Sequence, residues 1–424
     1  MKALFLPFSP SLEHVRRCLA VAEAWCTAGH EAVFGISPER QKLVRLAGFE
    51  THLVPDITSE TFTKDWGMHW LDRAYCAENL STELVIIRRT QPGLLVYDFR
   101  FTSYVSATLT DIPCASILTG STIHMALDME ESVDMLLGDD EKGLNIPWQR
   151  KISQRRFFTT FRRTFSSAAN RINPLLRAYD IPKIESPYEL LLGDLNLISD
   201  LPGLTPSELP DDCHILGPFF WSGWNKSTSW LEELNKDPLI YINLVGAIID
   251  EDLLVSIIKT FRDAPYQVIV KTGDNRLPSD LETDSNIKIN PEIPVATLIE
   301  HCIAVFHLGD HETLMYALAA GIPSLIFPVN PDQLMIAHQA KSIGIAHLLR
   351  LGDALPVLPA RQKISFNLES PIFHKALDDL LADIGCLNTC QEYKKEIQGM
   401  PGAFAAIPLL EKLAQQPNRI NGML

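Results

Sequence analysis

Short apolar runs alternate with amphipathic stretches along most of this chain. Residues 2–7 form an apolar run closed by a Ser/Pro turn. Residues 15–26 follow with Leu19, Ala22 and Cys26 on one face, the spacing of a helix, and Gly29 stands where a helix C-cap is expected. A second strand is predicted at 31–36, a second helix at 39–47 and a third strand at 51–55. Strands at 93–97 and 114–118 enclose a helix at 102–109, and 195–199 reads as the last strand of this half. The stretch 199–230 is rich in Pro, Gly, Asp and Trp, which suits a linker. A second series begins at Leu239, with strands at 239–244, 267–271 and 287–289 and a helix at 251–261. Such alternation predicts an α/β protein with doubly wound parallel sheets. A length of 424 residues predicts two domains, 1–205 and 231–385, joined by a linker at 206–230 and followed by helices at 386–424.

The stretch 302–344 is the most informative. An apolar run, 303–306, leads into a polar turn, a helix at about 313–320 ended by Gly321 and Pro323, and another apolar run, 324–327. Strand, loop, helix, strand in this order requires a parallel crossover. Loops at the carboxyl ends of parallel strands are where such sheets bind ligands. Both loops here are polar: Leu308-Gly309-Asp310-His311-Glu312 and Asn330-Pro331-Asp332-Gln333.

This block resembles the donor-site signature of the GT-B glycosyltransferases that use nucleotide-activated sugars. Bacterial members read H-G-G-H-G-T-x-x-E-A-L-x-x-G-V-P, a strand, then P-x-x-x-D-Q. The spacing matches without gaps from Leu308 to Gln333, with Thr313, Ala317, Leu318, Gly321, Pro323, Pro328, Asp332 and Gln333 on the pattern. The resemblance implies two Rossmann-like domains facing across a cleft, with closing helices that cross back to the first domain. It implies a UDP- or dTDP-linked sugar as co-substrate, held by Gly246, Gly309, His311, Thr313, Asp332 and Gln333. The departures are specific. Leu308 stands where the family has a histidine on the diphosphate, Asp310 and Glu312 replace glycines, and Tyr316 replaces a ribose-binding glutamate. His307, one residue early, would point to the other face of its strand. Val245 of Asn243-Leu244-Val245-Gly246 replaces another glycine. Glu292-Ile293-Pro294 occupies the base-packing region and leaves the base unread.

Family members also read G-H-x-x-P in the first βα loop, where the histidine is the general base. The aligned run here is Glu13-His14-Val15-Arg16-Arg17, so His14 takes the catalytic position while Glu13 and Arg17 replace the glycine and the proline. A neutral imidazole can take a proton from an attacking hydroxyl. Asp98, at the end of the apolar run 94–97, matches the family's supporting aspartate; it also suits a helix N-cap.

Composition narrows the partners. A net charge of −15 argues against general nucleic-acid binding, which rests on neutralising phosphates. The eight cysteines show no paired metal spacing, Cys386 and Cys390 included, so no metal is expected. The apolar start is too short for a signal peptide, and no apolar run is long enough to span a membrane, so a cytoplasmic protein is expected. The basic stretch 150–163 with interleaved Phe reads as a solvated helix over the acceptor site, or as a membrane-surface contact. Trp66, Met68, Trp70, Met125, Met129 and Met135 read either as an apolar acceptor pocket or as core.

The leading expectation is an inverting hexosyltransferase of secondary metabolism, such as antibiotic biosynthesis. It would act on a hydroxyl of an apolar small molecule, with His14 as base and Asp98 behind it. Segments 58–83 and 119–184 would form the acceptor pocket. The alternatives are acid–base chemistry on a metabolite without a sugar nucleotide, or a non-catalytic acceptor-binding or activating partner. The sequence leaves the oligomeric state unread.

Overall fold

The computed structural model describes residues 1–65, 68–127, 148–223, 237–245, 255, 259–262, 264–273, 286–289, 295–349 and 371–416. They divide into two compact units. The first contains 1–132, 155–223 and 400–424; the second contains 133–154 and 224–399.

The first unit is built on a seven-stranded sheet. Its strands are β1 (Lys2–Pro7), β2 (Glu31–Ile36), β3 (Glu50–Leu53), β4 (Leu94–Asp98), β5 (Cys114–Leu118), β6 (Leu195–Ile198) and β7 (Cys213–Ile215). They lie in the order β3-β2-β1-β4-β5-β6-β7, and each pairing is parallel. β6 is therefore not the last strand. β7 lies inside the segment read as a linker and pairs with β6. Its three half-buried residues give no apolar run for sequence reading to find.

Both faces of this sheet are buried, which is why its strands read as continuous apolar runs rather than as alternation. Ala3, Phe5, Leu94, Val96, Ala115 and Ile117 face one way, against Leu19 and Trp25 of the first helix. Leu4, Leu6, Leu95 and Tyr97 face the other, against Ile86 and Ile87 of the helix Arg73–Thr90. The first core also takes Ile407, Leu410 and Leu413 from the final helix, Ala406–Ala414.

The second unit holds a six-stranded parallel sheet. Its strands are β8 (Leu239–Asn243), β9 (Gln267–Lys271), β10 (Ile287–Ile289), β11 (Cys302–His307), β12 (Ser324–Ile326) and β13 (Ala346–Leu348), in the order β10-β9-β8-β11-β12-β13. Each sheet reverses its strand order once, between β1 and β4 in the first and between β8 and β11 in the second. Doubly wound folds bind ligands at such switch points, beyond the carboxyl ends of the strands.

The last helix holds to the first unit by apolar burial. Leu410→Ala, at a fully buried position, should lower the unfolding free energy by about 2–5 kcal/mol. Phe404→Ser, at a residue 61% exposed, should change it by less than about 0.5 kcal/mol. Equal denaturation midpoints for the two variants would show that this helix does not contribute to the core.

Candidate functional site

The first switch point carries the expected pair and two residues more. The first helix runs Leu12–Thr27 and so begins before residue 15, where periodicity places it. Arg17 has the backbone N–H that a proline lacks, so one continuous helix contains residues 12–17. His14 consequently sits in the first helical turn, and Arg17, three residues after His14 and four after Glu13, lies one turn on at facing spacing to each.

His14 Nδ1 lies 2.6 Å from Asp98 Oδ1. Arg17 grips the same carboxylate with two donors, Nε to Oδ2 at 2.7 Å and Nη2 to Oδ1 at 3.1 Å. Arg17 Nη2 is also 2.6 Å from His14 Nδ1. Arginine only donates, and an ionised carboxylate only accepts. Nδ1 cannot both donate to Asp98 and accept from Arg17, so the two contacts compete for one proton position. On the other side of the ring, Glu13 Oε1 lies 3.7 Å from His14 Nε2.

Asp98 is 1% exposed. Burial alone would push its carboxyl up, but the Arg17 guanidinium and His14 outweigh that and hold it below the ordinary value. Burial opposes the Arg17 charge in the same way; Asp98 more than compensates, and the guanidinium is raised further. The chain turns sharply after Asp98: Phe99 has φ +53°, a left-handed conformation uncommon for a bulky residue. Its ring stacks on His14, with centroids 4.9 Å apart and planes at 12°.

A second ionic cluster fixes this turn from behind. Arg100 donates to Asp56 Oδ1 at 2.9 Å, to Glu83 Oε1 at 2.6 Å and to Asn79 at 2.5 Å. Thr102 and Ser106 donate to Glu83, Tyr75 donates to Asp56, and so does the backbone N–H of Ser9 in the β1 loop. The side chains of Asp56 and Glu83 are fully buried. Sequence reading passes over this cluster. Its members are spread from Ser9 to Ser106 over five loops and helices, and only a charge at an otherwise apolar helical position, Glu83, hints at it.

The second switch point carries the polar loop 308–312, and its geometry is set by the loop's own hydrogen bonds. The helix His311–Ala320 starts two residues earlier than periodicity suggests, because Asp310 caps it by accepting from Thr313 N–H at 2.6 Å. Thr313 Oγ1 accepts from Asn243 Nδ2 at 2.7 Å, and Asn243 Oδ1 in turn accepts from Val245 N–H. Gly309 has φ +99° and packs on the backbone of Gln333. Gln333 Oε1 accepts from Val329 N–H at 3.0 Å, so part of its amide serves the β12 loop. His311 is buried, whereas Asp332 is exposed. Tyr316 packs against the apolar core of the unit. Gly246 and the segment 292–294 lie outside the described residues.

His307 is fully buried. Burial pushes its imidazole down to about 3, and Nδ1 accepts from Gly309 N–H at 3.2 Å. It is thus a neutral support for the loop. Leu308 is buried as well.

Near His14 the aromatic rings gather. Phe8 stands 5.0 Å from Phe62, 5.3 Å from Trp70 and 5.6 Å from Phe99, and Phe99 reaches Phe101 and Tyr188. Phe62 and Phe99 are only half-buried, while Met68, Trp70 and Met125 are core. His124, on the helix after β5, is buried and pushed down by that burial to about 4. Trp66, Met129 and Met135 lie outside the described residues, as do the side chains of most of 150–163. Among the described residues no group of His, Cys, Asp and Glu could hold a metal ion, and no helix is long and apolar enough to cross a membrane.

Comparison with known proteins points in one direction. No protein-family model matches the chain. A PGL/p-HBAD biosynthesis glycosyltransferase of Mycobacterium tuberculosis (strain ATCC 25177 / H37Ra) is 26% identical over 360 residues, which is 82% of this chain and 81% of that protein. The glycotransferase of kitacinnamycin superposes with a TM-score of 0.68 at 16% identity, over 97% of this chain and 98% of that one. Spinosyn rhamnosyltransferase SpnG, solved with thymidine diphosphate, superposes with a TM-score of 0.64 at 17% identity, over 97% and 100%.

Two outcomes test this geometry. At Gly309 a β-carbon would meet Gln333 backbone at 2.8 Å, and the positive φ adds strain. Gly309→Ala should therefore cost more than about 1 kcal/mol in chemical denaturation; an unchanged midpoint would mean that the loop moves freely. The lowered Asp98 carboxyl contributes stability that is present at neutral pH and lost as pH falls through its folded-state value, which lies below 3.8. The stability gap between wild type and Asp98→Asn should accordingly narrow in acid. A gap independent of pH would place the ionic clamp elsewhere.

Proposed function

We infer that this chain, a glycosyltransferase of the GT-B fold, transfers a sugar from a nucleotide-sugar to a hydroxyl of an apolar small molecule of secondary metabolism. Its relatives and structural neighbours support the class of reaction. The observation that carries the mechanism is the buried contact between His14 Nδ1 and Asp98 Oδ1, 2.6 Å, beside a half-buried aromatic wall.

In this reading Nδ1–H donates to Asp98, which leaves the Nε2 lone pair free. As the acceptor oxygen attacks the anomeric carbon, Nε2 takes its proton. The bond from that carbon to the diphosphate oxygen breaks, and the leaving diphosphate keeps the electron pair. Attack from the face opposite the leaving group inverts the anomeric centre. Asp98 holds the ring orientation and stabilises the imidazolium that forms. Phe62 and Phe99 give an apolar acceptor a surface to cover. Gly309, Thr313, His311, Gln333 and Asp332 are the residues we assign to the donor.

Asp310 favours a second reading, acid–base chemistry without a sugar nucleotide. Its carboxylate occupies the Thr313 N–H that an anion would otherwise use, and puts negative charge where the helix dipole attracts phosphate.

Turnover of apolar hydroxylated acceptors with UDP- and dTDP-sugars should fall about 10²–10⁴-fold in His14→Ala, with Asp98→Asn also impaired. A rate within tenfold of wild type in His14→Ala would remove the base. Calorimetry separates the two readings: UDP and dTDP should bind weakly to wild type, and more tightly once Asp310→Gly and Glu312→Gly are introduced together. If neither form binds either nucleotide, the second reading is favoured.

A further inference from the structure

Glu13 and Arg17 lie against His14 at the start of the first helix, yet neither belongs to the family pattern. We propose that they are a compensating pair of positioning residues, Arg17 opposing proton uptake by His14 and Glu13 restoring it. The proposal deepens the reading of His14 as the base and rests on it for its catalytic meaning.

The case for Arg17 is geometric. Its Nη2 lies 2.6 Å from His14 Nδ1, so a permanent positive charge faces the ring on which imidazolium charge would build. Its Nε and Nη2 also occupy both oxygens of Asp98, leaving less of that anion to His14. The helix N-terminus acts in the same sense, since its dipole disfavours a cation in the first turn. A histidine with only these neighbours would be a poor base.

Glu13 answers this from the opposite side. Its Oε1 lies 3.7 Å from Nε2, the nitrogen left free for the proton, and its Oε2 lies 4.0 Å from Arg17 Nη1. Asp98, Glu13, Arg17 and His14 together carry one net negative charge when His14 is neutral and none once it is protonated. A single aspartate alone would give the same balance. Replacing a glycine and a proline by an acid and a base thus changes the charges around the ring while conserving their sum. Phe99 from the β4 turn and Phe8 from the β1 loop flank the ring, and the Cys18 thiol, next to Asp98 and Arg17, is pushed up by burial. The side chain of Glu13 is 25% exposed, against 2% for Asp98, so its influence is the more screened.

The test reads the His14 imidazole directly, by NMR titration of the substrate-free protein, with His14→Asn identifying its signal. Glu13→Gln should move the midpoint down and Arg17→Met should move it up, each by about one unit. The double variant should return close to wild type. Arg17→Lys, which keeps the charge without the fork, should stay nearer wild type than Arg17→Met, and it carries the test with Glu13→Gln if Arg17→Met does not fold. Midpoints that stay put, or that move in the same direction in both single variants, would overturn the proposal. No nucleotide-sugar is needed, so failure to find turnover would count against the proposed function and leave this pair standing. Where turnover is found, the acid limb of kcat/KM should follow the NMR midpoints. Midpoints that move while the limb stays fixed would keep the pair and remove His14 as the base.

Discussion

The carboxylate of Asp98 organises the first unit's site. It ends β4, beside β1 at the sheet's switch point, and joins that sheet to the first helix through His14 and Arg17. An ion this deeply buried is costly unless it is paired and hydrogen-bonded. Here both oxygens are occupied, one by Arg17 Nε and the other by His14 and Arg17 Nη2. The pairing that offsets desolvation also sets the ring angle of His14. The ion pairing and the orientation of the imidazole therefore depend on one geometry.

That geometry requires the chain to leave β4 abruptly. Phe99 adopts a left-handed backbone, at a cost of order 1–3 kcal/mol for such strain. The Arg100 cluster with Asp56, Glu83 and Asn79 holds the next residue in place. Because Asp56 also receives Ser9 N–H from the loop after β1, the two loops that present His14 and Asp98 are tied to each other through a third. A buried cation between two carboxylates adds little net stability, because desolvation offsets much of the pairing.

The second switch point shows a different economy. Asp310, Asn330 and Asn243 turn inward and satisfy backbone or side-chain groups of their own loops. His307, neutral and buried, supports Gly309. Loop order here comes from the protein's own hydrogen bonds. Any anion would have to compete with Asp310 for the helix N-terminus.

The doubly wound architecture was legible in the chain because both sheet faces are covered by helices. Strands such as β1, β4 and β11 then become unbroken apolar runs bounded by turns. Thr313 and Gln333 lay on a gap-free spacing pattern, whereas the caps at Asp310 and Asn330 emerged only from the folded loops; His14 and Asp98 each followed an apolar run, where sheets of this kind present ligands. β7 was not legible, since a three-residue edge strand has no periodicity to show. Nor was the Arg100 cluster, whose partners are distant in sequence and meet only when β3, the helix Arg73–Thr90 and the β4 turn pack together. Glu13 and Arg17 were visible only as departures from a pattern. Tertiary structure decided their meaning: a helix beginning at Leu12 puts them one turn apart, and β4 brings Asp98 between the charges. Local sequence thus determined the elements and their order. The electrostatics of the site came from contacts spanning some eighty residues, such as His14 with Asp98, which only folding creates.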